Sequence, residues 1–243
     1  QFSPSNSAPE FTTYDDRGLY FRTAASDVLQ AHVLAELILR DGSQTTSVIY
    51  RDETYGIGLA NAFNDSFTAA GGTIEEFIAY PVDEQSFDAA VEQLARAGSD
   101  AVLVVGFSES GAIVTEMHAQ GIGPTSSTRV YGTDGNLSNI GTTSSDPSIV
   151  VGFSGTEPTI DLSTIPNFLA RLDAAGEMDG NYQYGPESYD TVVITALAAA
   201  IAGTDDPLAV ATQINGVTRD GTKCTSFADC MALVDDGIDI DYD

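Results

Sequence analysis

The stretch from Gly98 to Gly121, GSDAVLVVGFSESGAIVTEMHAQG, contains a strand, a turn and a helix in one continuous run. Residues 101–105 are all apolar and mostly β-branched, which predicts a strand buried on both faces of a sheet. Glu109 and Ser110 offer side-chain oxygens to the first amides of the helix, and Gly121 is placed to end it in the left-handed conformation. The turn therefore lies at the carboxyl end of a predicted parallel strand, where open α/β sheets bind ligands.

The chain repeats this alternation up to residue 153. After a short extended piece at 19–22, strands are predicted at 46–50, 74–80, 129–132 and 149–153, with a loop over 133–147. Helices are predicted from a Ser26 or Asp27 cap to residue 41, from 57 to 70, and from a Ser86 cap to residue 97. Five strands that alternate with helices predict an α/β fold with a doubly wound parallel sheet.

The pattern changes after residue 153. Helical periodicity recurs at 164–175, 187–202 and 207–215, with no strong strand between these segments. Helices with an apolar face need a sheet or a bundle to cover. We therefore expect this part of the chain to pack on strands that its first residues contribute or that the sequence lacks.

The charge balance excludes some classes of partner. Nine lysines and arginines stand against 36 aspartates and glutamates, which gives a formal net charge of −27. Such a field repels nucleic acid phosphates and anionic membrane surfaces, and it is typical of a strongly solvated surface. The longest apolar helix core, at 192–202, is about half the length needed to cross a bilayer.

Cys224 and Cys230 are the only cysteines, with five residues between them, in a polar segment. A close pair without further Cys or His partners is a poor zinc site. A disulfide is the favoured interpretation and indicates an oxidising, extracytoplasmic setting, with two reduced thiols as the alternative.

Two enzyme motifs are approached but not met. Residues 106–110 differ by one residue from a Gly-x-Ser-x-Gly nucleophile elbow, because Ser110 replaces the second glycine, and neither histidine lies late in the chain, where that fold places its base. Gly56 and Gly58 open a helix without the third glycine of a dinucleotide site. Carboxylates are too frequent for any cluster to indicate a metal, and we predict no metal and no cofactor.

Side chains at several predicted strand ends suit a small polar molecule. Tyr55 follows one strand, Phe107 and Ser108 follow another, and Asp134 follows a third. An aromatic wall, a hydroxyl and one carboxylate would hold a ligand with an apolar part and an ammonium group, since a buried cation needs a paired anion. For each aromatic residue alone, packing in the core is the alternative.

Four motifs carry a resemblance to a known family: YFRTAASD at 20–27, YGIGLA at 55–60, YGTDG at 131–135 and CTSFADC at 224–230. In order and spacing they resemble the type I periplasmic binding proteins, in particular the branched-chain amino acid and amide receptors of ABC transporters. The resemblance implies two α/β lobes that close on a ligand about a hinge. It implies that residues 1–22 end a first-lobe segment and cross the hinge, that 23–153 form a complete second lobe, and that 154–243 return to an incomplete first lobe.

The resemblance also implies binding residues. Ser5 and Ser7 occupy the positions of a Pro-x-x-Thr turn that holds the ligand carboxylate in the family, with Ser7 in place of the commoner threonine. Asp134 matches the acidic partner of the ligand ammonium, where many amino-acid receptors have glutamate. The implied ligand-binding set is Ser5, Ser7, Tyr55, Phe107, Ser108, Asp134 and Tyr189.

The function implied is that of a non-catalytic receptor outside the cytoplasm. It would bind a small amino acid, amide or related zwitterion between two lobes and deliver it to an ABC transporter permease. The full-length form would be extracellular or periplasmic, as a cell-surface lipoprotein. The alternative is a sensory or regulatory ligand-binding domain of the same fold, because fold alone does not separate the two.

Overall fold

The computed structural model describes residues 1–176, 178 and 180–243. Its strands are β1 (Phe2–Ser3), β2 (Phe21–Arg22), β3 (Thr45–Arg51), β4 (Thr73–Tyr80), β5 (Ala101–Val105), β6 (Arg129–Gly132), β7 (Ser154–Gly155), β8 (Thr222–Cys224) and β9 (Ile240–Tyr242). Its helices are α1 (Asp27–Arg40), α2 (Thr54–Ala69), α3 (Asp88–Ala97), α4 (Ser110–Ala119), α5 (Asp134–Leu137), α6 (Ile140–Thr143), α7 (Pro166–Ala175), α8 (Gly185–Ala202), α9 (Pro207–Ile214) and α10 (Phe227–Asp235).

Five strands form one parallel sheet in the order β4-β3-β5-β6-β7. The strand β5, which the opening stretch predicts, is buried along its whole length between β3 and β6. Its residues pair in register with both neighbours, for example Val104 with Ile49 and Val102 with Val130. The predicted doubly wound parallel sheet is confirmed.

The sheet buries both faces because its strands alternate side chains between two helix layers. One face carries Val48, Leu103 and Tyr131, which pack with α1 and α2 through residues such as Leu34 and Phe63. The other carries a second set that packs with α3 and α4: Ile49, Val102, Val104 and Val130 against Val91, Leu94, Ile113 and Met117. Burial of each large side chain in such a core contributes about 2 kcal/mol.

Helix ends follow the sequence signals only in part. Ser26 caps α1 by accepting a hydrogen bond from the Val28 amide at 3.4 Å, and Gly121 has a φ of +80° after α4, both as predicted. The predicted cap of α3 is wrong, because the N-cap is Phe87 and no side chain bonds there. The helix predicted to start at residue 57 begins at Thr54, where the Glu53 side chain accepts from the Gly56 amide.

The segment after β6 also departs from the prediction. Residues 133–147, expected as a loop, contain α5 and α6. The strand predicted at 149–153 is wrong: Pro147–Val150 form a 3₁₀ turn, and the paired strand is the two-residue β7, which bonds to β6 at Tyr131 and Gly132. A short apolar run cannot by itself distinguish a strand from a buried turn.

The chain divides into two compact units. The first unit comprises Gln1–Asn6, Thr13–Ala24 and Thr159–Asp243, and the second unit comprises Ser7–Thr12 and Ala25–Pro158, which includes the five-stranded sheet. The assignment of residues 1–22, 23–153 and 154–243 to lobes stays a prediction.

The first unit contains two small parallel pairs, β1 with β2 and β8 with β9. The helices α8, α9 and α10 pack on them through a core that includes Leu197, Val217 and Ile240. Cys224 at the end of β8 and Cys230 in α10 form a disulfide inside this core. The sequence pattern predicts neither β8 nor α10: β8 has three residues and exposes two of them, and α10, although mostly apolar, is nine residues long and fully buries Cys230 alone among them.

Candidate ligand-binding site

The topological switch point of the sheet in the second unit lies between β3 and β5. From β3 the chain crosses outward to β4, then returns over β3 to β5 on its other side. The loops after β3 and β5 therefore leave the sheet in opposite directions, which opens the place where α/β sheets bind ligands. Tyr55, in the first turn of α2, and Phe107, two residues after β5, stack there with ring centroids 5.1 Å apart and planes at 26°.

The Tyr55 hydroxyl connects this aromatic pair to the end of β6. It lies 2.8 Å from Asp134 Oδ1 and 2.8 Å from Thr133 Oγ1. Burial raises the Tyr55 pKa well above its ordinary value, and the Asp134 charge raises it further. The hydroxyl therefore keeps its proton and donates a hydrogen bond to the Asp134 carboxylate, which is itself only 6% exposed.

Asp134 is held by the start of the short helix α5. Thr133 and Asn136 form a capping box, in which the Thr133 amide donates to Asn136 Oδ1 at 3.0 Å. The Asn136 amide group donates to the Val104 carbonyl at 2.9 Å and to Ser110 Oγ at 3.0 Å. Because Asn136 is completely buried, these bonds fix the loop after β6 to strand β5 and to the first turn of α4.

A second network lies on the other side of Phe107. Glu109 Oε1 accepts hydrogen bonds from Arg51 Nη1 at 2.9 Å, from the Tyr80 hydroxyl at 2.9 Å and from the Phe107 amide at 3.1 Å. The Arg51 guanidinium lies 5.5 Å from the centre of the Phe107 ring. Burial by itself raises the Glu109 pKa, but these donors outweigh it and hold the pKa below its usual value.

The structure brings together three of the residues predicted for binding: Tyr55, Phe107 and Asp134. Ser108 lies beside Phe107 with an exposed side chain. Ser7 belongs to the second unit and is buried, and its carbonyl accepts the Asp27 amide at 2.9 Å. The ligand-binding role of all of them stays a prediction.

Two further predicted residues belong to the first unit. Ser5 is exposed and its amide donates to Ser3 Oγ at 3.4 Å. Tyr189 contacts the Phe168 ring edge-on, with centroids 5.3 Å apart, and Arg171 lies over its ring at 5.7 Å. Tyr189 lines a cavity of about 790 Å³ within this unit.

Sequence reasoning missed four residues around the site. Arg51 and Thr133 directly end or follow strands, so the rule that selected Tyr55 could have found them. Asn136 stands at the third position of a helix start, where a capping box usually has Glu or Gln. Glu109 was predicted to cap α4, which is wrong: its carboxylate bonds back to Phe107, and no side chain caps the amides of α4.

Comparison with known proteins identifies the family of the chain. The family described as periplasmic binding protein matches residues 2–229. The chain belongs to the periplasmic binding protein family. The resemblance found in the sequence is confirmed, and the family implies an extracytoplasmic location.

Individual relatives of this periplasmic binding protein have low sequence identity to it. The Leu/Ile/Val/Thr-binding protein of Salmonella typhimurium is 27% identical over 226 residues, which cover 90% of this chain and 58% of that protein. The chemotactic signal transduction system substrate-binding protein BasB of Halobacterium salinarum is 25% identical over 99% of this chain and 57% of its own. The crystal structure of a leucine binding protein, LivK, from Thermotoga maritima has a TM-score of 0.75 at 20% identity and shares the fold over 89% of this chain and 61% of its own. The chain thus spans a little over half the length of these relatives.

The part of the chain that the structure describes was expected to lack a membrane-spanning helix and a metal site. There, no single helix is long and apolar enough to cross a membrane, and α8 and α9 pass that test only together, as a pair bent by 112°. Within the same residues no group of three or more His, Cys, Asp or Glu side chains is arranged to hold a metal ion.

Proposed function

We propose that the chain is part of an extracytoplasmic substrate-binding protein of an ABC transporter, which binds a small amino acid or related zwitterion without catalysis. The observation that carries the proposal is the buried Asp134 carboxylate, bonded to Tyr55 beside the Tyr55–Phe107 stack at the switch point of the sheet. A carboxylate next to an aromatic wall suits an ammonium group attached to an apolar side chain. The names of its relatives support leucine, isoleucine, valine or threonine as the first ligands to test.

Calorimetric titration with L-leucine tests this function, with 4-methylpentanoate as the analogue that lacks the ammonium group. We expect heat of binding with leucine, and Asp134→Asn should weaken leucine binding by about 2 kcal/mol, which is about 30-fold, because the charge pair is lost. Asp65→Asn makes the same change at an exposed position of α2 and should leave the affinity unchanged. Equal affinities of Asp134→Asn and the unaltered protein would show that no ammonium group lies at Asp134.

The implied partner is an ABC transporter permease, and the implied full-length form is lipid-anchored at the cell surface. Both follow from the family resemblance and are tested by reconstitution: leucine uptake into vesicles that contain the permease should require this protein. A sensory role is the second candidate, supported by the similarity to BasB over nearly the whole chain. Co-purification with a signal transducer in place of a permease would favour it.

A further inference from the structure

We propose that Arg51 and Glu109 are positioning residues that hold the Phe107 ring in the candidate site and thereby raise its affinity for ligand. The proposal rests on the function proposed above for the consequence to binding, but its structural part concerns Phe107 alone. The Arg51–Glu109 ion pair lies beside Phe107: the guanidinium is 5.5 Å from the centre of its ring, and the carboxylate accepts its amide.

The contacts converge on one carboxylate oxygen. Glu109 Oε1 accepts from Arg51 at the end of β3, from Tyr80 at the end of β4 and from the Phe107 amide after β5. The carboxylate therefore joins three neighbouring strand ends through a single atom. A charge-assisted bond to a backbone amide is among the stronger kinds of hydrogen bond, so it fixes the main chain at Phe107.

Partial burial separates this ion pair from an ordinary surface pair. The Arg51 and Glu109 side chains are 20% and 19% exposed, whereas those of Arg96 and Glu92, which form an ion pair at 2.7 Å on α3, are 65% and 63% exposed. Exposed pairs of that kind contribute little, since solvent screens them and their side chains stay mobile. The pair at Phe107 is shielded enough to hold its geometry.

The backbone is adapted to the network. A Cβ atom on Gly106 would collide with the Tyr80 hydroxyl and would lie 2.9 Å from Glu109 Oε1, so glycine leaves the space that these groups occupy. Phe107 itself is 39% exposed and follows a strand in a turn. A ring that lies partly in solvent samples several rotamers unless neighbours restrict it, and ordering such a side chain upon binding costs affinity. Tyr55 stacks on the ring, and Arg51, over the ring, and Glu109, on its amide, add to that restriction before ligand binds.

The experiment combines amide exchange with affinity. Hydrogen exchange of the Phe107 amide, followed by NMR, should become at least about tenfold faster in Glu109→Ala, because the acceptor is removed. Glu109→Gln keeps an acceptor oxygen and should retain most of the protection. Arg51→Gln should leave the amide protected yet weaken L-leucine binding about three- to tenfold, the cost expected for ordering one side chain.

Arg96→Gln is the matched control, because it breaks the exposed ion pair and should change neither measurement. Exchange at Val104 in β5 reports whether each variant keeps its fold. Unchanged exchange at Phe107 in a folded Glu109→Ala variant would overturn the proposal, and so would faster exchange with an unaltered affinity. Absence of leucine binding by the unaltered protein would count against the proposed ligand instead, while the exchange data would still decide whether Glu109 positions Phe107.

Discussion

Replacement of Asn136 by alanine gives the sharpest test of how the candidate site is built. Asn136 is fully buried and forms three hydrogen bonds, two of them with backbone groups: the Thr133 amide and the Val104 carbonyl. The alanine variant leaves these groups buried without that partner, and each such group costs about 1–3 kcal/mol. We therefore expect Asn136→Ala to lower the free energy of unfolding by about 3 kcal/mol.

Urea unfolding at pH 7, followed by circular dichroism, measures this loss. Asn64→Ala is the matched control, because the Asn64 amide group bonds to the neighbouring Asp65 carboxylate at 3.3 Å in an exposed contact on α2. Its effect should stay within about 0.5 kcal/mol. A loss below about 1 kcal/mol for Asn136→Ala would refute the reasoning, since it would mean that water or a rearranged loop replaces the three bonds.

Three further predictions concern other parts of the molecule. Because the folded protein lowers the Glu109 pKa, the carboxylate stabilises the fold above its unfolded pKa of about 4.3, and this contribution is lost as the pH falls through the lower folded value. Glu109→Gln should therefore lower the melting temperature at neutral pH. In thermal melts from pH 3 to 7, its melting temperature should converge with that of the unaltered protein at the acid end. Reduction of the Cys224–Cys230 disulfide opens the small loop that it closes and should cost about 2 kcal/mol, measured as a lower urea midpoint with dithiothreitol; an unchanged midpoint would argue against a stabilising role. Gly106→Ala should destabilise by about 1–3 kcal/mol through collision with a buried tyrosine hydroxyl, whereas Gly141→Ala, where a Cβ meets open space, should not; equal melting temperatures would contradict the packing.

The parts of the fold that follow from local pattern could be predicted. The strand β5 has the predicted bounds: its five apolar residues lie between Asp100 and Gly106, and all five are buried. The helix α1 likewise carries its own cap at Ser26. The strand predicted at 149–153 is wrong because an apolar run forms a strand only where it pairs with a neighbour. The residues after β6 that pair with it are Ser154 and Gly155, and a 3₁₀ turn forms before them.

The candidate site could be predicted as far as topology reaches. Tyr55, Phe107 and Asp134 follow three strands whose carboxyl ends meet, so their proximity follows from the parallel sheet. The bond between Arg51 and Glu109 depends on the register of β3 against β5 and on a side chain that turns away from its own helix. A glutamate at a helix start equally predicts a cap, so the sequence alone could not select the observed arrangement.

The division of the chain has a consequence for the order in which it folds. The second unit is nearly continuous in sequence, and β3 pairs with strands that begin 28 and 56 residues after it, so it can assemble as these segments leave the ribosome. The first unit joins segments from both ends of the chain, as the bond between Thr23 and the Glu187 carbonyl, 164 residues apart, illustrates. Closing so long a loop is entropically costly and becomes cheaper once the intervening residues are compact. Refolding should therefore proceed in two stages, with the sheet of the second unit formed before the disulfide-bearing core of the first.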